Sequence, residues 1–368
     1  MDFDIIDAHA HIFPPLAGAC GFADAATHLL HQQRAMHVHG NQPYRRARDN
    51  AAVRERPLWA EDDPSEAGRR DVDFRVGRCG RFEWNSGGEA QYVQFLPPAM
   101  EDLSISAGVL ARQMDYAGIA TAVLQNDHIY GDLAEDFAAA AHAYPGRFIG
   151  LAQVNEPFAW REEAIARVAD QVERLGMAGL YFTMTGLFRD GYRTLPDDPA
   201  YDPLWREVAR LDVPVFWVHA AKSPVGTYAD EMRHLAAIVE RHPGLRHVLV
   251  HGLPTGLYAD EAERLALPPV LERLLSDGAV SAEILYPIAW GGRMEYPYPK
   301  AMGHVRQLLD RFGATRFLWG SDMPNVERYC TYRQTLTYFW DHADFLNAED
   351  RRRVFRDNAL EMFRRPHP

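Results

Sequence analysis

A chain of 368 residues with 47% hydrophobic and 24% charged side chains can bury one large core and solvate its surface, which sets aside disorder and suits a globular enzyme. The formal net charge of -12, with Lys222 and Lys300 as the only lysines, excludes nucleic acid as a partner, because phosphate backbones are gripped through clustered Lys and Arg. Cys20, Cys79 and Cys330 are odd in number and form no CxxC pair, and the first residues are acidic where a signal peptide is basic and then apolar. We therefore expect a soluble, cytoplasmic protein with no membrane partner.

In chain order, the first strand is expected over residues 3–10 and ends in Asp7-Ala8-His9-Ala10-His11. Residues 13–103 follow, rich in Arg, Gly, Pro and aromatics and too long for an ordinary connection. They are expected to form a cap insertion over the mouth of the fold, with short ribbons around 72–84 and 90–96. Apolar, β-branched and aromatic runs then predict strands over 121–127, 147–154, 178–184, 214–220, 247–252, 279–286 and 316–322. Several are near-continuous hydrophobic runs, as strands covered on both faces are. Helices are predicted between and after them over 105–117, 132–144, 159–175, 200–211, 229–242, 260–276, 300–312 and 331–342. In 159–175 the face Ile165, Val168, Ala169, Val172 and Leu175 runs up to Gly176. A last helix over 348–363 is expected on the outside. Eight rounds of alternation favour an α/β (β/α)8 TIM barrel over an open sheet, as one domain spanning 1–368.

Polar residues cluster where the apolar runs stop. His9 and His11 share a face of the first strand by alternation, His219 ends the fifth, His251 the sixth and Asp322 the eighth. In a closed barrel these strand ends ring one pocket, and imidazole with carboxylate suits zinc or a similar ion. His37-Val38-His39, near His31 and Arg34, repeats the HxH spacing without the strand-end context and is read as cap structure or substrate contact. Arg46, Arg48, Arg75 and Arg78 in the cap are candidates for holding a substrate carboxylate. Phe182 on strand four, Glu283 and Tyr286 on strand seven and Arg293 in the following loop complete the candidate substrate contacts.

Through Ile6-Asp7-Ala8-His9-Ala10-His11-Ile12-Phe13-Pro14, Tyr201-Asp202-Pro203-Leu204-Trp205, His219, His251-Gly252, Gly320-Ser321-Asp322-Met323-Pro324 and Asn358, the chain resembles the amidohydrolase superfamily. Within it, the resemblance is to the amidohydrolase-related branch that includes aminocarboxymuconate semialdehyde decarboxylase, other decarboxylases and lactonases. The resemblance implies His9, His11, His219 and Asp322 as metal ligands, His251 and Asp322 as the proton-handling catalytic residues, and one divalent ion, Zn2+ first and Mn2+ as the alternative. A binuclear relative needs a lysine at the end of strand four, and residues 179–184 contain none. Glu283 stands where many relatives carry a smaller polar residue. The implied reaction is nonoxidative decarboxylation of an aromatic or unsaturated carboxylic acid, with hydrolysis of a lactone, amide or related ring as the alternative. A hydratase and a noncatalytic binding scaffold rank behind these. The implied partner is a small molecule, and relatives commonly form homodimers.

Overall fold

The computed structural model describes residues 3–38, 42–220, 222–284 and 296–364. All eight expected strands are present: β1 (Ile6–Ala10), β2 (Thr121–Leu124), β3 (Phe148–Gly150, continuing as Ala152–Gln153), β4 (Leu180–Thr183), β5 (Val215–Val218), β6 (His247–Leu249), β7 (Val280–Ile284) and β8 (Phe317–Trp319). Every neighbouring pair is parallel, in sequence order around the ring. Leu151 interrupts β3, donating its N–H to Leu124 O at 3.0 Å while Ala152 donates to Gly179 O at 2.7 Å, so pairing passes without a gap from β2 to β4. The ring shuts between its first and last strands. His11 N donates to Met323 O at 2.8 Å and Asp322 N to His9 O at 2.9 Å, beside a parallel bridge from Ala10 to Met323.

Burial explains why these runs read as strands. One face of each points into the barrel, where Ile6, Ala8, Val123, Leu151, Tyr181, Phe216, Val248 and Leu318 form an inner cluster. The other face meets the surrounding helices: α2 (Ala107–Ala117), α3 (Ala134–Ala143), α4 (Glu162–Glu173), α5 (Asp202–Leu211), α6 (Tyr228–Arg241), α7 (Pro269–Ser276), α8 (Pro299–Phe312) and α9 (Tyr332–His342), following α1 (Ala25–Val38) in the insertion. Two expectations change here. The helix expected over 260–276 begins only at Pro269, because Pro268 and Pro269 exclude the preceding residues from helical geometry and 259–265 instead closes a small bridge. The terminal segment is α10 (Ala348–Arg352), a π turn over Arg353–Asp357 and α11 (Asn358–Met362), and it does not lie on the outside. Ala359 and Met362 enter the inner cluster, and Asn358 Nδ2 donates to Ala314 O and Phe317 O at 2.8 and 2.7 Å, so the segment plugs the amino end of the barrel.

Residues 13–103 hold more structure than expected. Ribbons do occupy Arg75–Val76, Arg81–Ser86 and Glu89–Gln94, and with Tyr44–Arg46 and Ala52–Val53 they make a five-stranded antiparallel sheet. Helix α1 was not foreseen, because its buried side is polar: His28, His31, Gln32, Gln33 and Arg34 are all buried. Loop carbonyls replace water for several of them. Gln33 Nε2 donates to Leu58 O and Arg70 O, and Gln32 Nε2 to Leu16 O. Among the described residues, no helix is long and apolar enough to cross a membrane.

Candidate metal centre

The end of β1 does not continue the alternation that its start sets. Ile6 and Ala8 point into the inner cluster, but the register with β2 slips between Asp7 and Ala10, and Ala10 packs in the outer layer. A bulge of this kind re-aims side chains, and here it turns both His9 and His11 into the mouth. His9 Nε2 stands 3.0 Å from His11 Nε2, and Asp322 Oδ1 lies 3.2 Å from His11 Nε2 and 3.6 Å from His9 Nε2. One ligand atom from each of the three falls within 4.8 Å of the others, and all three residues are buried.

The hydrogen bonds behind these rings decide which nitrogens face the centre. His11 Nδ1 lies 2.9 Å from Gln125 O, a carbonyl that only accepts, so Nδ1 carries the proton and Nε2 presents a lone pair. His9 Nδ1 donates to Glu283 Oε2 at 2.9 Å, which leaves its Nε2 as a lone pair too. Two lone pairs at 3.0 Å beside a carboxylate repel one another unless a cation lies among them, so the donor set fits a divalent metal.

Burial governs the charges. It pushes His9 down to about 3 and His251 down to about 4, so both rings are neutral near pH 7. Burial alone would raise Asp322, but the surrounding imidazoles of His11, His9 and His251 outweigh that and hold the carboxylate well below its ordinary range. Asn325 Nδ2 also donates to Asp322 Oδ1 at 2.7 Å. The His251 ring stacks on His9 with centroids 5.1 Å apart. Both His251 and Asp322 adopt left-handed backbone, with φ of 63° and 61°, so each strand turns sharply where its functional side chain leaves it.

Glu283, expected as a substrate contact, turns toward protein groups. It is buried beneath His9, its Oε2 accepting from His9 Nδ1 and from His251 N at 2.8 Å, its Oε1 from Gln125 Nε2 at 2.6 Å. Gly252 lets the β6 turn pack against the β7 backbone, since a Cβ there would meet the Glu283 carbonyl oxygen at 2.2 Å. Burial raises the Glu283 carboxyl to about 8. Glu283→Gln is expected to weaken metal binding roughly 10- to 100-fold, as losing the carboxylate behind a ligating imidazole does. Competition against a chromophoric chelator measures this, and an unchanged affinity would remove Glu283 from any role in orienting His9.

His219 stands apart from the trio, and its donor is not among the atoms within 4.8 Å. Its Nδ1 donates to Glu231 Oε2 at 2.9 Å, while its Nε2 is buried with no hydrogen-bond partner. That orphaned lone pair is a second observation in favour of a metal nearby. The other expected contacts disperse. Arg46 pairs with Asp49, Arg48 with Glu89, Arg75 with Asp73 and Glu83, and Arg78 with Glu101, all on the insertion's surface. Phe182 faces outward, 5.5 Å from Trp205 and 4.9 Å from Trp217, because the odd-numbered neighbour Tyr181 takes the inward position. Tyr286, Arg293 and His39 lie outside the described residues.

Several residues of the site went unread in the sequence. Gln125 is a polar group closing an apolar strand, which was the available signal. Tyr130 was not legible: its ring lies 4.5 Å from both His11 and Phe13, and its hydroxyl meets Asn325 Nδ2 at 2.6 Å. Asp7 accepts from His9 N, Ser321 N, Ser321 Oγ and Tyr332 OH, and so joins β1 to β8 and α9.

A closed parallel barrel whose carboxyl rim gathers two imidazole lone pairs and a carboxylate defines a barrel enzyme with a site that fits a divalent metal. The chain belongs to the amidohydrolase family, whose profile matches residues 6–365. Among curated protein sequences none matches it. Solved structures share its fold. A probable 2-pyrone-4,6-dicarboxylic acid hydrolase from Acinetobacter baumannii, with citric acid bound, is 14% identical over 98% of this chain and 99% of its own, with a TM-score of 0.57. A 2,6-dihydroxybenzoate decarboxylase from Rhizobium is 21% identical over 71% and 89%, with a TM-score of 0.52. A 5-carboxyvanillate decarboxylase from Novosphingobium aromaticivorans, complexed with manganese and 4-hydroxy-3-methoxy-5-nitrobenzoic acid, is 19% identical over 72% and 81%, with a TM-score of 0.51.

Proposed function

We propose that the protein is a metal-dependent carboxy-lyase that removes CO2 from an aromatic or unsaturated carboxylic acid. The observation that carries this reading is the pair of imidazole lone pairs facing each other at 3.0 Å beside Asp322. His9, His11 and Asp322 would hold one divalent cation, with His219 Nε2 as the further donor. Two or three imidazoles and a carboxylate suit zinc first and manganese second. Thr183 ends β4 and Met184 follows it where a bridging lysine would be needed, so one ion per chain is expected.

A bound divalent cation supplies positive charge that neutralises the acid's oxygens and steadies the electron density left behind when CO2 departs. The rest falls to the side chains. The bond between the carboxyl group and its carbon breaks, the electron pair stays on that carbon, and the carbon takes up a proton. His251, kept neutral by burial, stands over His9 within reach of the same space and relays that proton from solvent. Tyr130 and Phe13, stacked at 4.5 Å, form an aromatic wall beside His11 that matches a planar acid and excludes water. The decarboxylases that share the fold act on substituted benzoates, which is consistent with this wall.

Hydrolysis of a lactone is the second reading, favoured by the hydrolase from A. baumannii that aligns over nearly the full length of both chains. The same side chains would then manage the proton of a water molecule. A pH-stat separates the two, since decarboxylation takes up a proton and ring opening releases acid. Metal-replete protein given a panel of hydroxybenzoic and unsaturated acids is expected to release CO2 with proton uptake. No CO2 across a broad panel overturns the lyase reading, and acid release from lactones installs the hydrolase in its place.

A further inference from the structure

Helix α1 buries Arg34 to 3% exposure without giving it a counter-ion. Its guanidinium carbon lies 5.1 Å from the Trp59 ring and 5.8 Å from the Phe188 ring, and its Nε is buried with no acceptor. Arg46, Arg48, Arg75 and Arg78 all meet carboxylates on the surface, whereas Arg34, the buried one, meets none within ion-pair distance among the described residues. Aromatic contacts return only a fraction of what taking a charge out of water costs. The neutral Tyr192 hydroxyl accepts from Arg34, but among the described residues no carboxylate balances its charge.

The position of Arg34 shows where that balancing charge comes from. Phe188 also touches the ring of His31 at 5.5 Å, and His31 stacks at 4.7 Å on His128, which follows β2. On the other side, the Tyr192 hydroxyl feels the charges of both Arg34 and Glu231, and Glu231 holds His219 at the end of β5. Arg34 thus lies over the carboxyl rim between β2 and β5. Nearby carboxylates point elsewhere: Asp63 holds Ser65, and Glu231 Oε2 holds His219 and Ala220 N while its Oε1 stays beyond ion-pair distance of Arg34. Asp190, whose charge also reaches Tyr192, stays beyond ion-pair distance of Arg34. A further orphaned polar atom, His128 Nδ1, lies after β2 on the same rim, as expected where a polar ligand completes the hydrogen bonding.

We propose that Arg34 receives a second carboxylate of the substrate, remote from the one that reacts, so that the chain acts on a diacid. This rests on the reading of the trio as the reaction centre and adds a substrate class to it. A planar carboxylate matches the two-pronged N–H edge of a guanidinium, and Trp59 and Phe188 hold that group in place while offering no acceptor of their own.

The test is calorimetric titration of the metal-loaded full chain with benzoate and the three benzenedicarboxylate isomers. At least one diacid is expected to bind roughly tenfold or more tightly than benzoate, the margin a charge-assisted pair confers. Arg34→Gln should erase that margin and leave benzoate unchanged. Arg34→Lys, which keeps the charge but lacks the fork, should reduce it, and it carries the test by itself if the Gln variant does not fold. The proposal is overturned if no diacid outbinds benzoate, if the variants keep the whole margin, or if they lose both acids equally, as a structural pair with Asp190 would require. Metal content is measured in parallel. A parent chain that never holds metal defeats the trio, and the diacid margin of chelator-treated protein then decides Arg34 on its own.

Discussion

Asp322→Asn is expected to cost the protein both its metal and its turnover. The amide keeps the shape of the carboxylate and can still meet Asn325, but it presents no charge to balance a cation beside His9 and His11. Burial makes that loss severe, because Asp322 is 5% exposed and water cannot replace it. Elemental analysis should find the ion reduced well below one per chain, and turnover should fall roughly 10²- to 10⁴-fold even with excess metal if Asp322 shares the proposed proton handling with His251. A variant with full metal and full activity would remove Asp322 from the centre.

Asp7→Ala should produce the largest loss of stability of any single change near the site. Asp7 is fully buried and accepts four hydrogen bonds, from His9 N at 3.0 Å, Ser321 N at 2.8 Å, Ser321 Oγ at 2.5 Å and Tyr332 OH at 2.6 Å. Alanine leaves four donors without a partner in a space that water cannot readily enter. The unfolding free energy should fall by about 3 kcal/mol or more, read as a lower denaturant midpoint at unchanged slope. Metal affinity should drop with it, because the backbone of His9 loses its anchor to β8. An unchanged midpoint would mean that Ser321 and Tyr332 find other acceptors.

The barrel was legible because its strands are covered on both faces, so each reads as a short apolar run wherever its neighbours lie. His9, His11 and Asp322 were legible for a related reason: in a closed parallel ring, the ends of distant strands share one rim. What failed was side-chain direction within a strand. Phe182 and Tyr181 are equally apolar in sequence, and only the pairing of β4 decides which of them points inward. Glu283 was placed on the correct strand but assigned to a ligand, because its real neighbour, His9, lies 274 positions away. Helix α1 was hidden by its polar buried face, whose acceptors are loop carbonyls that leave no periodic trace. The four surface arginines drew attention as charges, yet each had an acid within the insertion itself.

The pairing that shuts the ring has a consequence for how the protein is made. His9 and Asp322 acquire their spacing from two backbone bonds between the first strand and the last, so during synthesis the leading histidines wait, with one flank open, for some three hundred residues to emerge. A nascent chain halted before Asp322 holds half of a cation's cradle and nothing to complete it. Loading of an ion there is therefore tied to the emergence of β8, and a seated ion would clasp the first strand of the barrel to the last.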